Sequence, residues 1–177
     1  MAQIDDVVAD SRTFAAEMPA EARILGDTTV RIGRVVRGTP EAIWAAHHDP
    51  DLVARWMTGP DGWSMPVCET ATQVGANYRY VWRNDADGAS FQSTGEVLEM
   101  AEPHRVVFTE RMEGDMIPEG APGTLNEVTF TALEGGTLVV VVVTYPDAQT
   151  RDAVLRNRDG RRHGAELWRL ETDVLDS

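Results

Sequence analysis

Residues 39–56 read Thr39-Pro40-Glu41-Ala42-Ile43-Trp44-Ala45-Ala46-His47-His48-Asp49-Pro50-Asp51-Leu52-Val53-Ala54-Arg55-Trp56 and spell the same helix-start signal twice. Thr39 is an N-cap type. Pro40 suits the first helical position, where its missing N–H has no partner to lose, and Glu41 complements the positive helix end. Asp49-Pro50-Asp51 repeats the pattern. Ile43, Trp44 and Ala46, then Leu52, Val53 and Trp56, supply an apolar face to each. Two short helices therefore follow one another directly, and both must pack on something else. Gly59-Pro60-Asp61-Gly62 ends the second with turn chemistry.

Outward from this pair the periodicity changes to two. Before it, Thr28, Val30, Ile32, Arg34 and Val36 alternate with Thr29, Arg31, Gly33 and Val35, the pattern of a strand. After it, strands are predicted near 64–71, 76–83, 90–99, 104–112, 124–133 and 136–145, with Asn84-Asp85-Ala86-Asp87-Gly88 and Glu134-Gly135-Gly136 as hairpin loops. Alternation puts Tyr78, Tyr80 and Trp82 on one face, expected to turn inward, and groups Phe108 with Glu110 and Met112. Residues 113–123 hold three glycines and two prolines and read as an irregular connection, a candidate lid. Beyond Tyr145-Pro146-Asp147 the apolar spacing of Ala153, Val154, Leu155, Ala165, Leu167, Trp168, Leu170, Val174 and Leu175 predicts a long final helix, with Gly160 and Gly164 inside it. Residues 1–26 read as an amphipathic N-terminal extension, and residues 27–177 as one domain.

The order strand, two helices, six strands, long helix comes with Thr39-Pro40-Glu41, Ile43-Trp44, Asp49-Pro50-Asp51-Leu52, Arg55-Trp56, Gly59-Pro60, Gly75, Tyr78-Arg79, Gly95-Glu96-Val97, Pro103, Val107-Phe108-Thr109, Tyr145-Pro146, Arg151-Asp152-Ala153-Val154-Leu155 and Arg169-Leu170-Glu171. In these residues the chain resembles the activator of heat-shock-protein-90 ATPase homologue family, a branch of the START-like superfamily. The resemblance implies an α+β helix-grip fold: a curved antiparallel sheet of about seven strands around a long C-terminal helix, with two short helices after the first strand. It also implies a small-molecule cavity between sheet and helix.

Composition narrows the partners. The 177 residues carry a net charge of -13, which repels phosphate backbones and argues against nucleic acid. The apolar run 138–143 is far shorter than the roughly 20 residues of a membrane-spanning helix. One cysteine, Cys68, forms no internal disulfide and builds no thiolate metal site, and the N-terminus shows no export signal, so a cytoplasmic location is expected. No nucleophile elbow, phosphate-binding glycine loop or His-Glu-x-x-His motif is present, and no cofactor or metal is expected. Asp85-x-Asp87-Gly88 lacks the further ligands of a calcium loop and reads as a turn. An exposed sheet edge leaves a homodimer possible.

The preferred function is binding of a hydrophobic or aromatic small molecule. The ligand-binding set is Trp56, Tyr78, Tyr80, Trp82, Phe91, Phe108, Glu110, Met112, Met116, Tyr145 and His163, because aromatic rings give large apolar area with few rotors and methionine adapts to shape. The core claims Trp44 and Trp56 in the competing reading, since short helices must pack. Glu110, a carboxylate among apolar groups, and His163, near Arg162 and Glu166, are candidate proton-transfer groups for an enzymatic alternative of the polyketide cyclase, dehydratase or hydrolase kind. A cochaperone-like interaction module is the third reading. His47 and His48 are adjacent, point about 100° apart on a helix, and are assigned no role.

Overall fold

In chain order the elements are β1 (Glu21–Ile24), β2 (Thr29–Val36), α1 (Pro40–His48), α2 (Pro50–Trp56), β3 (Trp63–Glu69), β4 (Asn77–Asn84), β5 (Ser90–Ala101), β6 (Arg105–Gly114), β7 (Thr124–Leu133), β8 (Gly136–Thr144) and α3 (Ala148–Asn157). They come from a computed structural model that describes residues 21–59, 61–115 and 117–157. The strands form one antiparallel sheet in the order β1-β2-β8-β7-β6-β5-β4-β3. Register shifts between Ser64 and Val67 in β3, and between Val97 and Glu99 in β5, mark bulges, the device by which a sheet bends.

Both helix-start signals act as written. Thr39 Oγ1 accepts from the Ala42 N–H at 3.3 Å, and Asp49 Oδ1 accepts from the Asp51 N–H at 2.9 Å. The Trp56 indole then donates to the Ala46 carbonyl at 2.8 Å, locking α2 against α1. The apolar faces of this pair meet one face of the sheet: Ile43, Trp44, Ala46 and Trp56 share a core with Val36, Tyr78, Val97, Val106, Val128, Phe130 and Val139. That defines the inner face. Each fully buried Ile, Val or Phe there contributes about 1.5–3 kcal/mol of transfer free energy. By strand parity the same face carries Tyr80 and Trp82 of β4, Phe91 and Ser93 of β5, Phe108, Glu110 and Met112 of β6, and Thr124 and Asn126 of β7.

Gly95 has a specific reason to be glycine. A Cβ built on it would stand 1.7 Å from the Thr109 carbonyl oxygen and 2.7 Å from Cε1 of Tyr78. Tyr78 is the ladder partner of Gly95, so its ring lies where a Gly95 side chain would otherwise be.

A second, smaller cluster of Val30, Val143 and Tyr145 packs with Val154 and Leu155 of α3. Asp147 caps α3 by accepting from the Thr150 N–H at 2.7 Å, and Arg151 ties the helix to the β1–β2 turn through the carbonyls of Gly26 at 2.8 Å and Asp27 at 2.6 Å. Two expectations change. The sheet has an eighth strand, β1, inside the stretch read as an extension: its four residues pair with β2 from Glu21↔Gly33 to Ile24↔Val30. The irregular connection after β6 also starts later than expected, because β6 runs to Gly114. Asp115 is then held to β5 by its N–H on the Ser90 carbonyl (2.9 Å) and its carboxylate on the Ser90 N–H (2.8 Å). The predicted C-terminal helix is described over Ala148–Asn157; residues 158–177, with His163, lie outside the described residues, as does Met116.

Candidate functional site

The inner faces of β4, β5 and β6 carry a continuous row of aromatic rings. Tyr78 and Tyr80 lie 5.1 Å apart, Tyr80 and Trp82 6.1 Å, and Trp82 stacks on Phe91 at 4.8 Å with planes 17° apart. Phe108 meets Tyr78 edge-on at 5.7 Å. Period two on β4, with register pairs Tyr80↔Ser93 and Trp82↔Phe91, is what lines them up.

The polar tips of these rings divide them. The Trp82 indole donates to the Met57 carbonyl at 2.6 Å, where the chain leaves α2 and turns through Gly59 at φ +82°. Trp56 is 2% exposed with its indole spent on Ala46. Tyr78 is also committed, its hydroxyl lying 3.2 Å from the Thr109 carbonyl and 3.3 Å from Ser93 Oγ. Tyr80 differs: its ring is half-buried, and its hydroxyl meets no donor or acceptor among the described residues. Burial raises the pKa of both phenols above the ordinary tyrosine value, aided by Glu110 for Tyr78 and by Cys68 for Tyr80, so both remain protonated donors at neutral pH. Phe91, Phe108 and Met112 are half-buried beside them.

A polar band crosses this apolar face. Ser93, 2% exposed, donates to Glu110 Oε1 at 3.0 Å. That uses the one hydroxyl proton of Ser93, while the carbonyl of Thr109 can only accept and so takes the proton of Tyr78. On β7, Thr124 stands opposite Glu110 in the ladder, and its Oγ1 accepts from Asn126 Nδ2 at 2.9 Å. Asn126 is 3% exposed. Glu110 itself is half-buried, and Ser93 is its one hydrogen-bond donor among the described residues. Neither Ser93 nor Asn126 was singled out from the sequence. The available signal was a polar residue at an inward position of an otherwise apolar alternation, such as Phe91-Ser93-Gly95-Val97.

The structure thus brings together Tyr78, Tyr80, Trp82, Phe91, Phe108, Glu110 and Met112. It places Trp56 under α1, in the core, and Tyr145 apart with the α3 cluster. The two histidines go separate ways: His48 stacks on Trp44 at 4.0 Å, while His47 packs between Trp56 and Phe130. Asp85 of the hairpin loop accepts from Ser64 Oγ at 2.7 Å. Among the described residues no group of three or more His, Cys, Asp or Glu side chains is arranged to hold a metal ion, and no helix is long and apolar enough to cross a membrane.

A curved antiparallel sheet of eight strands with two short helices packed on its inner face matches the START-like architecture. Residues 37–168 match the family described as activator of Hsp90 ATPase homolog 1-like protein, and the chain belongs to that family. Among solved structures it is similar to a Rhodobacter sphaeroides protein at 26% identity, covering 90% of this chain and 100% of that one with a TM-score of 0.81. The fold is shared with protein Ms6760 of Mycobacterium smegmatis (20% identity, 88% and 96% covered, TM-score 0.74). It is shared too with an AHSA1-like protein of Aeromonas hydrophila (22% identity, 81% and 92% covered, TM-score 0.62). No curated protein gives a significant match.

Proposed function

We propose that the inner face of β4, β5 and β6 binds an amphipathic aromatic small molecule against Tyr80, Phe91, Phe108 and Met112. One observation carries this reading. In the middle of that face the rings are only half-buried, and two polar groups, the Tyr80 hydroxyl and the Glu110 carboxylate, keep hydrogen-bonding capacity that the described residues do not use. Polar groups in low-dielectric surroundings favour a partner strongly, and a bound molecule supplies one while covering the rings. The neighbouring polar atoms of Trp82, Tyr78 and Ser93 are already satisfied and serve to hold the wall in place.

Native mass spectrometry of freshly purified protein, followed by thermal-shift screening against aromatic and lipid compounds, tests the proposal. A ligand at 100 times its Kd stabilises by about 2.7 kcal/mol. At about 2–4 °C per kcal/mol for a chain of this size, that is a rise in Tm of roughly 5–11 °C. A retained mass or such a shift supports binding. An empty protein that no compound shifts argues against it.

A further inference from the structure

We infer that this face selects its ligand by charge and donor chemistry: it takes neutral or cationic aromatic molecules bearing an O–H or N–H donor, and rejects aromatic carboxylates. The inference rests on the proposed binding reading and specifies the ligand class.

A carboxylate accepts about four hydrogen bonds and donates none. Among the described residues Glu110 receives one, from Ser93 on Oε1. Thr124, its ladder partner on β7, accepts from Asn126 through Oγ1 and makes no hydrogen bond to Glu110. Among the described residues Glu110 is thus an acceptor with capacity left over, on a face walled by Phe108 and Met112. An incoming phenol or ammonium completes it. An incoming carboxylate brings a second acceptor of like charge onto the same half-buried face, where repulsion is less screened than in bulk water. Among the described residues the inner-face strand positions hold one arginine, Arg34, which lies on β2, separated from β6 by β8 and β7. Tyr80 adds a second point of recognition. Its hydroxyl sits on β4, two strand spacings or about 10 Å from β6, so it reaches the far end of a two-ring molecule whose donor is on Glu110.

The test is calorimetric titration of the full chain with four probes of one shape: 2-naphthol, 2-methoxynaphthalene, 2-naphthylmethylamine and 2-naphthoate. In the natural protein, naphthol and the amine are expected to bind about tenfold or more tighter than the methyl ether, as a hydrogen bond to a charged group implies, with naphthoate weakest. Glu110→Gln keeps an oxygen for Ser93 and adds an N–H donor, so it should erase the preference for the amine and raise naphthoate affinity above that of the natural protein. Equal affinities for all four probes, or a ranking that Glu110→Gln leaves intact, overturns the inference while binding itself stands. Failure of every probe to bind overturns the binding reading as well. Should Glu110→Gln fold poorly, the ranking on the natural protein decides alone.

Discussion

Replacing Gly95 with alanine tests the packing that holds the candidate site. The added Cβ falls 1.7 Å from the Thr109 carbonyl oxygen, 2.7 Å from the Thr109 carbonyl carbon and 2.7 Å from the Tyr78 ring. The first two neighbours are backbone of β6, in the middle of a ladder, and do not swing away. The third is a ring whose hydroxyl donates to the Thr109 carbonyl. Overpacking alone costs about 1–3 kcal/mol, and displacing Tyr78 removes a buried hydrogen bond worth about 1 kcal/mol more. The expected total is about 3 kcal/mol, read as a lower urea midpoint at unchanged slope and a fall in Tm of roughly 6–12 °C. Because Gly95 and Tyr78 touch, Tyr78→Phe should cost less in the Gly95→Ala background than alone. A Gly95→Ala protein within about 0.5 kcal/mol of the natural one would refute the reasoning, since surface substitutions stay inside that range.

Other consequences follow from single contacts. Burial draws the pKa of His47 down from 6.5 to about 4. Its neutral form is therefore favoured in the fold, the unfolded chain binds more protons between those values, and stability is full above pH 6.5 and falls as pH drops toward 4, by about 3 kcal/mol at most. Urea titrations across that window should show the slope, and His47→Gln should reduce it, leaving the smaller part due to His48, which burial shifts in the same direction. Trp82→Phe removes the indole that holds the Met57 carbonyl and should cost about 1–2 kcal/mol, visible as a lower Tm. Arg151→Ala frees α3 from the Gly26 and Asp27 carbonyls; hydrogen exchange should quicken in Ala148–Asn157 while β5 and β6 keep their protection.

What the sequence made legible was local. Thr39-Pro40-Glu41 and Asp49-Pro50-Asp51 announce their helices because capping and proline chemistry act within three residues, and both caps form. Alternation likewise placed Tyr80, Phe108, Glu110 and Met112 on one face, because parity survives errors in strand ends. Strand β1 was missed: four residues, Glu-Ala-Arg-Ile, are too short for a period to show, and only pairing with β2 makes them a strand. Contacts across the sheet were hidden for a different reason. Tyr145 follows β8, which the order β8-β7-β6-β5-β4 sets far from Tyr80, and no local pattern encodes that order. The acceptor for Trp82 is Met57, 25 residues away across the turn at Gly59, and Ser93 reveals its role only once β5 and β6 are in register.

The central claim is that ligand contacts the inner face beside Glu110, and the most direct measurement is a titration of methyl-13C-methionine protein with 2-naphthol followed by NMR. Met112 projects from β6 onto that face, and its resonance is assigned by its loss in Met112→Leu. The account predicts that the Met112 methyl moves by ring-current shift as the site fills, and that Glu110→Gln weakens the titration about tenfold. A Met112 signal that stays in place at saturation, while other methionine methyls move, would put the ligand elsewhere and contradict the account.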